Sequence, residues 1–255
     1  MTQAAGLSAK VRMPSEAQAA ALEAAGIARG SYRFEPLTPL RRAIAARTAE
    51  SAREVPHFPI VMDVDVDAAL ALRQALNAEG ETRISLNDLV VRACALALAR
   101  TPEANVSYTP EGLVCHAHAD IAVAVAVEGG LLTPIVRSAE AKSVREISDE
   151  IAELARRART RRLLPDEYTG GTFTVSNLGM FGVRAFGSIL NPPQACILSV
   201  AAAEPRLAPR DGAVVTVTQM TVTLTCDHRA VDGATGARLL QAFRELMEAP
   251  QALAG

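Results

Sequence analysis

The chain has 255 residues and a formal charge of −2 at neutral pH, with a pI of about 6.1. That balance leaves no basic footprint for a nucleic acid. Hydrophobic residues make up 49% and aromatics only 4%, without tryptophan, so Ala, Val and Leu must build the core, and the length suits one large domain or two small ones.

No run approaches the ~18 apolar residues of a membrane-crossing helix, and the N-terminal residues lack a secretory apolar stretch. The expectation is a cytoplasmic protein (mitochondrial matrix if eukaryotic), with no nucleic-acid or membrane partner. Cys94, Cys115, Cys196 and Cys226 form no CxxC pair and stand among apolar neighbours. They read as reduced core thiols.

Residues 1–30 read as an N-terminal extension and residues 31–255 as the main domain. In the extension, Ser15 to Gln18 is a capping-box pattern opening an Ala-rich helix that stops near Gly26. Thr38-Pro39 starts a second helix, with Thr as N-cap and Pro in the first turn, running to about Arg53. Phe58 to Val66 alternates, with Asp63 and Asp65 on the wet face of a strand. Asp67 caps a helix to about Ala78, and Asn87 or Ser85 caps another through Leu89, Val90, Ala93 and Leu96. Ile121 to Val127 is a strand that turns at Gly129-Gly130 and returns as Leu131 to Val136. Ser143 to Glu146 is a second capping box, for a helix to about Arg162. Thr172 to Ser176, Ala195 to Ala201 and Val214 to Thr225 are β-rich, and Ala234 to Met247 is a helix. The fold class is α/β: one mixed β-sheet with packed helices.

Three stretches can carry chemistry. In Asp227-His228-Arg229-Ala230-Val231-Asp232-Gly233 a histidine sits where a strand passes into a helix. Backbone held on both sides lets the imidazole be aimed, and imidazole exchanges protons near neutrality; the structural alternative is a buried, backbone-bonded histidine. In Thr174 to Gly182 a strand ends in Ser176-Asn177 before a glycine-rich loop. A strand-end serine can donate to an oxyanion, or merely satisfy the loop backbone. The run Arg156 to Arg162 suits a solvated helix C-terminus or a phosphate contact. His116 and His118 share a strand face without an evident third ligand, so no metal site is expected. Cys226 shares a face with His228 but reads as a packed strand residue.

Asp227 to Ala234, together with Phe173 to Gly182, resembles the catalytic domain of the dihydrolipoamide acyltransferases, the core components of 2-oxo acid dehydrogenase complexes. Asn191 to Leu198, Leu132 to Val136, Ser85 to Asp88, Pro102 to Asn105 and Pro56 to Phe58 match in order. The wording is most similar to the acetyl-transferring, pyruvate dehydrogenase branch. The resemblance implies a chloramphenicol acetyltransferase-like fold and a homotrimer with active sites between subunits. It implies that coenzyme A enters as a substrate from one side and dihydrolipoamide from the other, with no permanently bound cofactor. His228 is then the general base, Ser176 the oxyanion donor, and Asp232 the residue holding the geometry through an ion pair with Arg41 or Arg42. Asn177, Gly179, Arg41 and Arg42 complete the expected substrate-binding set.

Two departures from the family stand out. Residues 1–30 are too short for a lipoyl-bearing or partner-docking domain, so the lipoyl group is expected from another domain or chain, unless this chain is part of a longer one. The tail Pro250 to Gly255 has one leucine where the family usually has several. That counts against the larger core assembly built by trimers of this kind. The rival functions are a non-catalytic core subunit, which tends to lack the histidine, and an acyltransfer to a small-molecule acceptor.

Overall fold

The computed structural model describes residues 13–80 and 82–254; the first twelve residues of the expected extension and Gly255 of the tail lie outside them. Two compact units appear, Met1–Ala43 and Ile44–Gly255.

In the first unit, helix α1 (Glu16–Ala24) opens on the expected capping box. Ser15 Oγ accepts from the Gln18 N–H at 3.3 Å, and Gln18 Oε1 accepts from the Ser15 N–H at 3.2 Å. Alanine on every face leaves little to bury, and Ala19 is the one buried residue of this helix. Helix α2 (Pro39–Glu54) starts where Thr38 Oγ1 accepts from the Arg41 N–H at 3.2 Å; the unit boundary falls inside it.

The second unit is built on a six-stranded mixed sheet. Its strands are β1 (His57–Asp65), β4 (Ile121–Val123), β7 (Ile135–Val136), β8 (Phe173–Asn177), β9 (Cys196–Arg210) and β10 (Ala213–Asp227), in the order β1-β10-β9-β8-β4-β7. The pairs β8–β9 and β4–β8 are parallel and the others antiparallel. Helices α3 (Asp67–Glu79), α4 (Leu86–Arg100), α5 (Val144–Arg159) and α6 (Gly233–Glu248) complete the unit.

Helix α4 is the hub. It is buried on nearly every side and packs against α5 and α6, as expected of a helix apolar all round. Its N-cap is Ser85, whose Oγ accepts from the Asp88 N–H at 3.2 Å. Val175, Leu198, Val200, Val222, Leu224 and Cys226 face this helical layer in one core. Ile197, Leu190 and Val55 form a smaller cluster on the opposite sheet face, since successive side chains alternate.

Several expectations are corrected. Asp67 does not cap α3: the N-cap position is Val66, and Asp67 Oδ2 accepts from the Thr218 N–H at 3.1 Å. The continuous strands expected around Gly129-Gly130 are each split. Beyond β4 and β7 the ribbon leaves the main sheet as a separate hairpin, β5 (Val125–Val127) with β6 (Gly130–Leu132). Pro134 sits at the break, and a residue without an N–H cannot continue a ladder. The β9–β10 ribbon runs further than expected, through Pro205 and Pro209 to a two-residue turn at Asp211-Gly212, φ +49° and +81°. Two positive φ values suit a type I′ hairpin turn. A hairpin not expected at all, β2 (Val106–Thr109) with β3 (Gly112–Cys115), stands beside the sheet. It leaves Cys115 exposed, contrary to its reading as a core thiol, while Cys94, Cys196 and Cys226 are buried.

Candidate active site

The corner after β10 is built from backbone outward. Asp227 closes the strand by donating its N–H to Ala195 O at 2.8 Å, and its carbonyl accepts from both the Ala230 and Val231 N–H groups at 2.9 Å. His228 sits inside this turn, its N–H on Pro56 O at 3.0 Å. Its ring is exposed and meets Phe58 edge-on, with centroids 4.6 Å apart and planes at 70°. One side of the imidazole is therefore packed while the residue as a whole remains exposed.

The residues on either side of His228 hold each other. The carboxylate of the buried Asp227 accepts from the Arg229 N–H at 3.0 Å, Nε at 2.9 Å and Nη2 at 2.7 Å. These bonds push the Arg229 guanidinium pKa up. Asp232 is exposed and caps α6, Oδ1 accepting from the Thr235 N–H at 2.7 Å. That bond, with help from Arg238, holds the Asp232 carboxyl below its ordinary pKa. Asp232 thus supports the corner from the helix side. In the first unit, the expected partner Arg42 donates Nη2 to Leu37 O at 3.4 Å.

Ser176 ends β8. Past it, Asn177 Oδ1 accepts from the Gly179 N–H at 2.8 Å, and Asn177 Nδ2 donates to Asn87 Oδ1, near the start of α4, at 3.0 Å. Leu178 donates its N–H to Val200 O at 3.0 Å. A Cβ on Gly179 would lie 2.8 Å from Ala201 O, so only glycine fits this close approach to β9. Among the described residues Ser176 Oγ has no hydrogen-bond partner, which leaves the hydroxyl able to donate elsewhere.

The sheet register places these two residues far apart in one chain. Ser176 pairs with Ser199 of β9, and Ser199 with Thr223 of β10. His228 lies five residues beyond Thr223. At about 3.3 Å per residue that is roughly 17 Å along the strands, plus two strand spacings of about 4.8 Å. A histidine and a serine so separated cannot act on one atom within a single subunit.

The other expectations resolve into structure. Arg157 grips Glu167 with both amino groups, at 2.7 and 2.5 Å, and Arg156 pairs with Glu153. His116 Nε2 bonds Ser107 Oγ at 2.8 Å and His118 Nδ1 bonds Glu140 at 2.8 Å. Among the described residues no metal-competent cluster of three ligands exists. Cys226 is fully buried with its Sγ 3.7 Å from Cys196 Sγ; this contact and burial raise the Cys196 thiol pKa. Sequence reading missed His57, held between Val55 O (Nδ1, 2.7 Å) and the Leu190 N–H (Nε2, 2.9 Å). Those partners require the neutral ring with its proton on Nδ1. The Pro56 to Phe58 match gave His57 no role, because its partner Leu190 is 133 residues away.

This architecture is shared with chloramphenicol acetyltransferase, which superposes with a TM-score of 0.50 at 17% identity over 80% of this chain and 92% of that one. The chain belongs to the 2-oxoacid dehydrogenases acyltransferase (catalytic domain) family, whose model matches residues 29–254. The dihydrolipoyllysine-residue acetyltransferase component of the Rhizobium meliloti (strain 1021) pyruvate dehydrogenase complex is 48% identical over 231 residues, 88% of this chain and 52% of that protein. The mitochondrial component from Caenorhabditis elegans is 44% identical over 231 residues, 87% of this chain and 46% of that protein. The chain thus spans about half the length of these curated relatives.

Among solved structures, the cubic core of a pyruvate dehydrogenase multienzyme complex aligns with a TM-score of 0.85 at 31% identity, over 88% of this chain and 95% of that one. The Azotobacter vinelandii dihydrolipoamide acetyltransferase aligns with a TM-score of 0.84 at 30% identity, over 88% and 94%. A serine, a histidine and an asparagine of that enzyme were investigated for their role in its catalytic mechanism. The serine precedes the histidine by 52 positions and the asparagine follows it by four. Ser176, His228 and Asp232 have the same spacing.

Proposed function

We propose that this chain transfers an acetyl or other short acyl group between dihydrolipoamide and coenzyme A, at sites formed where His228 of one subunit meets Ser176 of the next. The observation carrying this reading is the roughly 17 Å that separates the two residues along one sheet, set beside their spacing in the Azotobacter enzyme. Both are presented at strand ends, and a ring of subunits brings one chain's corner against another's strand end.

The chemistry follows. A thiol with a pKa near 8.5 is mostly protonated at neutral pH, so attack on a thioester needs a base of imidazole strength. His228 takes the proton from the attacking thiol. The thiolate adds to the thioester carbon, and Ser176 of the neighbouring subunit donates to the resulting oxyanion. Collapse breaks the original carbon–sulfur bond, and the departing thiolate recovers the proton from His228. Asp232 holds the corner by capping α6. Asn177 and Gly179 shape the oxyanion side, and Arg41 and Arg42 belong to the substrate-binding set. The lipoyl group comes from another domain or chain, and the other enzymes of a 2-oxo acid dehydrogenase complex are the partners.

The test uses acetyl-CoA and free dihydrolipoamide. His228→Ala lowers turnover by about 10² to 10⁴, and Ser176→Ala lowers it by about 10² with little change in KM. When the two variants are refolded together as random trimers, about a quarter of the sites pair an intact histidine with an intact serine, and activity returns. Near-wild-type transfer by His228→Ala ends the base assignment, and absence of complementation ends the intersubunit site.

A further inference from the structure

We infer that Tyr108, through Arg229, positions His228, so that the β2–β3 hairpin is a working part of the catalytic corner. This rests on the reading of His228 as the base. The guanidinium carbon of Arg229 lies 4.1 Å from the centroid of the Tyr108 ring. The same guanidinium grips the Asp227 carboxylate through Nε and Nη2. Asp227 and Arg229 are the two residues flanking His228, so this one ion pair fixes the backbone on both sides of the imidazole. Asp227 also anchors the turn through its carbonyl, which accepts from the Ala230 and Val231 N–H groups.

The pair is not fully pinned by its own charges. The Arg229 side chain remains 33% exposed, against 7% for Asp227, so water competes for the guanidinium on its outer side. The Tyr108 face covers part of that surface. A planar cation suits this position because one plane serves both the fork to the carboxylate and the stack on the ring. Lysine offers a single ammonium and can do neither in the same way. Tyr108 is itself half-buried in β2, on a hairpin whose neighbouring residue Ser107 is tied to His116 and bridges to Gln194. The ring is therefore a fixed surface, and a rigid platform is what an aimed imidazole needs.

The experiment compares Tyr108→Phe, Tyr108→Leu and Arg229→Lys in the acetyl-CoA and dihydrolipoamide assay, with His228→Ala as the control and melting curves for each protein. Tyr108→Phe keeps the ring face and retains wild-type kcat within about two-fold. Tyr108→Leu lowers kcat by about ten-fold with KM for coenzyme A unchanged, the signature of an interaction felt in the transition state. Arg229→Lys, which keeps the charge, causes a loss of similar size. Because the two residues act through one contact, the double variant Tyr108→Leu/Arg229→Lys is no worse than the weaker single variant.

An unaltered kcat in Tyr108→Leu, a loss confined to KM, or an equal loss in Tyr108→Phe overturns the inference. If Tyr108→Leu does not fold, Tyr108→Phe and Arg229→Lys decide by the same criteria. A fully active His228→Ala instead removes the function on which the inference stands, and so separates the two failures.

Discussion

Asp232 shows what a single residue contributes at this corner. Its carboxylate caps α6 through the Thr235 N–H, a role that asparagine fills as well as aspartate. The Azotobacter enzyme has asparagine at the corresponding spacing. Asp232→Asn should therefore leave the melting temperature nearly unchanged at neutral pH, while Asp232→Ala, which has no acceptor, lowers it by roughly 2–4 °C. The pH dependence has a definite sign. The folded carboxyl pKa is lowered by the Thr235 bond, so its stabilising effect is present above the ordinary carboxylate value and is lost as pH falls through the folded one. Melting scans from about pH 6 down to about pH 3 should show an acid-dependent loss that Asp232→Asn lacks. A large drop for Asp232→Asn at neutral pH would mean that the charge itself, and not the cap, supports the corner.

At the scale of elements, α6 is held close to the sheet by a glycine that propensity alone would disfavour. Gly236 is buried, and a Cβ there would lie 2.6 Å from Ile60 Cδ1 and 3.2 Å from Cys226 Sγ. Alanine in a helix gains about 0.5–1 kcal/mol over glycine, but forced overpacking costs about 1–3 kcal/mol. Packing wins, so Gly236→Ala should destabilise by about 1 kcal/mol, read from the urea midpoint at constant slope. A stabilised protein would mean that Ile60 swings aside freely. The capping boxes at Ser15 and Ser143 were legible because each is written within four residues. The split of the strands near Pro134 and the second half of β9 were not. The β9 extension carries Pro205 and Pro209, and it is a strand because β10 pairs with it across the Asp211-Gly212 turn.

For the whole molecule, a site needing both His228 and Ser176 requires more than one chain. The mass in solution at micromolar concentration should be near 81 kDa, three times the chain mass of 26.9 kDa, as a closed ring of three. Light scattering checks this, and a fully active monomer would overturn the shared site. Exposed apolar side chains are available for such contacts: Met180 and Phe181 beside the Ser176 strand end, and Leu207 and Val214 on the β9–β10 ribbon, are each more than two-thirds exposed. Leu253 is completely buried in its own subunit's core.

The sequence by itself determined the mixed α/β class, the strand-to-helix corner bearing His228, the strand end bearing Ser176, and the family. Each depends on neighbours within a few residues or on short motifs in order along the chain. Only the tertiary structure decided that Tyr108 stacks on Arg229. It alone showed that Asn87 holds Asn177 across 90 positions and that His228 and Ser176 stand apart within one chain. These facts depend on sheet register and long-range packing, which bring together residues whose sequence separation carries no local signal.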